Sequence, residues 1–254
     1  MKASKWDYNI LNQTMTNTLQ IDATTNEAEA ITGEIWETAP SGEIMLQMLW
    51  ESKAFRQANK ITKYELHFHL FAAWSARRVS HLLTDERSHR AIRTAELFAA
   101  GATTRTEMHL ARLHAEAVVI QLAETYKEST LPTTGTPKSK NDADHPTGVD
   151  TRTLFGASVL HAASTASMAC YAQQIFGGLQ AAEACAKYSI KALYWEMLTN
   201  GADAVLITEF LEEEDRRQAQ ALRIFLGNPF NSNRSPAMTL PSQHRIAGIN
   251  QQSQ

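Results

Sequence analysis

The placement of proline constrains this chain more than any other feature. Its seven prolines stand at positions 40, 132, 137, 146, 229, 236 and 241. None falls within 41–128 or 152–228. A proline inside a helix removes a backbone donor and clashes with the preceding turn, at about 3 kcal/mol. Two long proline-free tracts between proline-bearing stretches therefore predict two helical blocks. Alternating β-branched residues are scarce, and Asp-Gly does not occur, so hairpins are not expected.

Apolar spacing divides the first block. Residues 42–58 carry Ile44, Met45, Met48, Leu49 and Phe55 at helical intervals. Residues 62–83 line up Phe68, Ala72, Val79 and Leu82. Residues 85–100 align Ala91, Ile92, Ala95, Phe98 and Ala99, and residues 105–127 align Met108, Ala111, Ala115, Val118, Leu122 and Tyr126. These are i, i+3, i+4, i+7 patterns. Thr104 with Glu107 forms a capping-box sequence, and Gly101 suits a left-handed helix terminus. Thr84 or Asp85 is placed to cap the helix that follows, with Glu86 in its first turn and Arg90 four residues on.

In the second block alanine dominates, which favours helix and lets backbones approach closely. Gly177-Gly178 is expected to end or kink its first helix. Cys170 and Cys185 stand equally far from that break. A tight antiparallel turn there would set the two thiols at one height, whereas a continuous helix would hold them about 22 Å apart. They read as buried small hydrophobes rather than a redox pair. The last helix, from about residue 203 to 226, has Glu212–Arg216 and Glu213–Arg217 at i, i+4 and meets a stop at Gly227-Asn228-Pro229.

The expected architecture is all-α: a bundle of about six or seven helices with a flexible central linker and polar tails. The divisions are a poorly ordered arm over 1–40, helical block one over 41–128 and a linker over 129–151. Block two, over 152–230, packs on block one, and a polar tail covers 231–254.

Charge and composition restrict function. The formal net charge is -3, which gives no general attraction to polyanions. Two cysteines cannot build a disulfide framework. The first twenty residues lack the apolar core of a secretory signal, and no run of about 18 apolar residues occurs, so a cytoplasmic protein with no membrane span is expected.

Sequences for phosphate loops, dinucleotide turns, nucleophile elbows and HExxH zinc helices do not occur. The di-iron pattern ExxH occurs once, at Glu86–His89, where a bundle site needs two. No catalytic residue, metal or cofactor is expected. Two side-chain groupings remain. His67, Trp74, Arg78 and His81 share one face of the 62–83 segment and form a candidate ligand-binding face. Arg77, Arg87, Arg90 and Arg93 gather near a helix corner and form a candidate phosphate or nucleic-acid patch, offset by Asp85, Glu86 and Glu96.

Two longer phrases carry a resemblance. "LFAAWSARRVSHLLTDERSHRAIRTAELFAAG" (Leu70–Gly101) and "RRQAQALRIFLGNPF" (Arg216–Phe230) resemble signature segments of an uncharacterised bacterial family abundant in planctomycete-type genomes. The likeness spans roughly residues 44–230. It implies a helical fold and carries no established activity. The family's usual cysteine pair before Arg-Arg is Ser75-Ala76 here, and a polar tail stands where members continue into another apolar segment. The functional expectation is a non-enzymatic helical module that binds another protein or itself. The alternatives are a bundle that binds a small molecule or metal through the His67 face, and nucleic-acid binding through the arginine corner.

Overall fold

The computed structural model describes residues 33–52, 55, 58–130, 151–172 and 176–230. Among these the chain forms eight α-helices and no strand, so the all-α expectation holds. The helices are α1 (Gly33–Thr38), α2 (Gly42–Glu51), α3 (Ala58–Arg78), α4 (Glu86–Ala99), α5 (Arg105–Thr130), α6 (Thr151–Ala169), α7 (Gly177–Thr199) and α8 (Ala204–Leu226). A single 3-10 turn, Ser80–Leu82, joins α3 to the α4 cap. The expected linker and polar tail fall largely on residues 131–150 and 231–254, outside the described residues, as does most of the expected N-terminal arm.

Local signals place the helix starts. Ser41 caps α2 by accepting from the Ile44 N–H, Asp85 caps α4 from Arg87, and Asp203 caps α8 from Leu206. The capping box forms reciprocally at α5: Glu107 N–H donates to Thr104 Oγ1 at 3.2 Å, and Thr104 N–H donates to Glu107 Oε2 at 2.8 Å. Each such cap stabilises its helix by about 1 kcal/mol. Gly101 takes φ 71° after α4 and closes it with N–H bonds from Gly101 to Phe98 and from Ala102 to Leu97. Gly201 repeats the arrangement after α7.

Several boundaries differ from those predicted. The 42–58 segment is helical only to Glu51. There the chain turns so that Phe55 is buried among Tyr64, Phe68 and Phe230, with ring centroids 5.5, 6.1 and 6.4 Å away. The 62–83 segment begins earlier and ends at Arg78, where Val79 leaves helical geometry and the 3-10 turn follows. Gly177-Gly178 opens α7 instead of ending α6, which stops at Ala169. Within the expected arm, α1 sits on the body: Trp36 is fully buried and its Nε1 donates to the Gly227 carbonyl at 2.8 Å. Arg223 donates to the Trp36 carbonyl at 3.3 Å and also to the Ala39 carbonyl.

α7 is the central helix, packed against α6, α3, α8 and α2. Small residues allow this. Ala162, Ala163 and Ala166 of α6 and Ala181, Ala182, Ala186 and Ala192 of α7 are buried. Gly178 brings α7 against α3, where an added Cβ would meet the Glu65 carbonyl oxygen at 3.0 Å. α5 lies at the margin, packed on α4 and α6. No described helix is long and apolar enough to cross a membrane.

Candidate functional site

The arginines of the predicted phosphate patch do not converge. Arg77 and Arg78 are neighbours on α3, so their side chains leave the helix about 100° apart. Each finds its own carboxylate. Arg77 meets Glu96 of α4 through Nε (2.6 Å) and Nη2 (2.8 Å). Arg78 meets Glu214 of α8 through Nε (3.0 Å) and Nη2 (2.6 Å). Arg87 grips Asp85, its own helix cap, and donates to Gln121 at 2.7 Å. The Arg87 guanidinium and the backbone N–H bond hold the Asp85 carboxyl below its ordinary range. Arg90 and Arg93 remain exposed on α4 without an ion pair among the described residues. Two of the four cations therefore serve helix junctions and two face solvent.

The His67, Trp74, Arg78 and His81 face becomes an interface. Arg78 lies 6.0 Å over the Trp74 ring, and Glu214, its partner, is only 1% exposed. Trp74 is buried, stacked on Phe71 at 5.9 Å, and its Nε1 has no hydrogen-bond acceptor among the described residues. His67 is half-buried with its ring edge on Tyr64, and burial lowers its pKa. His81 stands on the 3-10 turn rather than on the helix, and its Nε2 lies 2.9 Å from Glu196 of α7. Through Arg78 and His81 this face meets α8 and α7.

At the single ExxH, Glu86 is exposed while His89 Nε2 lies 3.3 Å from the Leu83 carbonyl oxygen. No group of three metal-holding side chains occurs among the described residues. Cys170 and Cys185 are both buried and free. Cys170 Sγ donates to the Ala91 carbonyl and Cys185 Sγ to the Thr165 carbonyl. Burial pushes the Cys170 thiol up to about 12 and also raises Cys185 well above the ordinary thiol range, with Cys170 adding to the effect. Thiolate chemistry is suppressed at both.

Three groups escaped sequence reasoning because long-range packing creates them. His69 is fully buried against Phe98, and burial lowers its pKa to about 4. His161 stacks on Tyr188 and is also held at about 4, by burial and by Lys191. Asp215 is raised to about 6 by burial and by the carboxylates of Glu43, Glu214 and Glu212.

Beside Glu43 a cleft of about 350 Å³ opens between α2 and α7, lined by Glu43, Gln47, Trp50, Glu51, Glu183 and Lys187. Some of its polar groups answer one another, while Trp50 Nε1 finds no acceptor among the described residues. Lys187 Nζ is 2.9 Å from Glu183 and 3.6 Å from Glu43, and Gln47 donates to Glu51 at 2.8 Å. The lining still sets three carboxylates, Glu43, Glu51 and Glu183, against the single cation Lys187, so the cleft is acidic.

The outer face of α5 is different. Met108, Ala111, Ala115 and Val118 point into the core. On the opposite side Leu110, Leu113 and Ile120 are 50%, 47% and 55% exposed. With Ala117 between them they follow a 3-4-3 spacing and fall in one stripe about 80° wide. A helix apolar on both faces is ordinarily covered on both; among the described helices α4 and α6 pack on α5 and leave this stripe about half exposed. Comparison with protein-family models, curated proteins and solved structures finds no match.

Proposed function

We propose that this chain is a non-enzymatic helical module that binds another protein through the outer face of α5. The stripe of Leu110, Leu113 and Ile120 carries the reading. Among the described residues it sets three large apolar side chains, each about half exposed, in one row along a single helix. The polar clusters support it by contrast, since their donors and acceptors serve helix–helix junctions. Nucleic-acid binding is the weaker reading: with Arg77 and Arg87 held by carboxylates, it rests on Arg90 and Arg93, and two phosphate contacts give a shallow salt dependence.

Kinship with the planctomycete-type family belongs to the same proposal, as do a bacterial source and a cytoplasmic location. Its support is that both signature phrases serve structural junctions here. The Arg-Arg pair ties α3 to α4 and α8, and Gly227 and Phe230 receive Trp36.

The test is a fluorescence-anisotropy titration with a labelled amphipathic helical peptide bearing leucine at its a and d positions. Binding to the wild-type chain and a loss of at least about tenfold in Leu113→Glu is the expected outcome, with Tm held because half-exposed positions tolerate substitution within about 0.5–1 kcal/mol. Equal binding by the folded variant removes the reading.

A further inference from the structure

We infer that the occupant of the α5 face is a second copy of this chain, paired antiparallel along Leu110, Leu113, Ala117 and Ile120. The inference rests on the reading of α5 as a binding face and names its partner. The stripe is complementary to itself. A two-fold axis near residue 115 sets position 110 of one copy against 120 of the other, and 113 against 117. Every layer then joins a bulky side chain to an apolar one, and each Leu113 fills the space above the mate's Ala117. Parallel pairing would set alanine on alanine and leave a void in the middle of the seam.

The flanks agree with this axis. The next layer outward sets Thr106 against Glu124, so polar residues close the seam at both ends. Near the axis Glu116 comes beside the mate's Glu116, a like-charge contact that each copy's own Arg112, 3.8 Å from its Glu116, offsets only in part.

Area limits the strength. Three half-exposed side chains present roughly 300 Å² of apolar surface per copy, against about 800 Å² per partner in a standard stable interface. The pair therefore forms with concentration and separates on dilution. A partner needs only one helix with four apolar heptad positions and polar ends, and α5 itself meets that description.

Sedimentation velocity of the full chain from about 1 µM to about 500 µM tests the inference, with Leu113→Glu and Ala117→Glu as variants whose folding is checked by circular dichroism. The expected result is a reversible monomer–dimer shift that either folded variant weakens at least about tenfold. Mixing Leu113→Cys and Ala117→Cys chains under mild oxidation is expected to favour the mixed disulfide over either self-linked product, because the native thiols are buried. A monomer throughout the range, a dimer that persists in either folded variant, or self-linked products in place of the mixed one overturns the inference. A monomer that still binds the leucine-seam peptide removes only self-pairing, whereas one that ignores the peptide removes the α5 reading as well.

Discussion

The ion pair between Arg78 and Glu214 is the residue-scale feature with the largest consequence. Glu214 is 1% exposed and accepts two guanidinium bonds, while Arg217 stands 3.8 Å away. Removing one partner strands the other in a poorly hydrated place, at about 3–5 kcal/mol. Glu214→Ala is expected to lower unfolding stability by about that much in a urea titration. Arg78→Met combined with Glu214→Leu is expected to recover most of the loss, because an apolar pair leaves no buried charge. The acidic run 212–215 stands on one helix as four consecutive carboxylates. In the fold its members part company: Glu213 bonds Arg216 at 2.7 Å and Arg217 at 3.2 Å, Glu214 goes inward, and Asp215 is half-buried. Which carboxylate turns inward depends on where α3 lies, and helical spacing alone does not contain that.

At the scale of the elements, close approach dominates. Gly178 lies in helix α7, where alanine would ordinarily be favoured by about 1 kcal/mol. The added methyl would meet the Glu65 carbonyl at 3.0 Å and Phe68 Cβ at 3.2 Å, so overpacking, at about 1–3 kcal/mol, wins. Gly178→Ala is expected to lower Tm by several degrees, read by thermal circular dichroism; at Gly156 of α6 an added Cβ would meet the Tyr126 ring at 3.0 Å, a side chain and not backbone. The same reasoning explains the misplaced break. Two glycines suggest a helix stop, yet here they are wanted for contact between helices, and α6 ends without them. By contrast the caps at Asp85 and Thr104 and the left-handed Gly101 were legible, because each is a local bargain among residues within a turn of one another.

The whole molecule titrates through its buried histidines. His69 and His161 sit at about 4 in the fold against an ordinary 6.5, so the unfolded chain binds more protons between these values. Stability therefore falls as pH drops from about 6.5 toward 4, by up to about 3 kcal/mol for a fully buried histidine shifted this far. Asp215 opposes this: raised to about 6, its protonated form is favoured in the fold, and its contribution is lost as pH rises through 6. Denaturant titrations at several pH values are expected to show a net acid loss that His69→Leu makes shallower. An unchanged slope in that variant would remove His69 from the account.

The sequence by itself determined the helical class, most helix starts and stops, and the buried apolar stripes of α4 and α5, because these depend on proline, capping and periodicity within a few residues. Tertiary structure alone decided the rest. It turned the His67–Trp74–Arg78–His81 face into a junction, sent Arg77 and Arg87 to carboxylates, and left Leu110, Leu113 and Ile120 in solvent. The physical reason is that burial and pairing are relations between distant segments: an apolar or charged side chain carries the same local signal whether its neighbour in space is a helix or water.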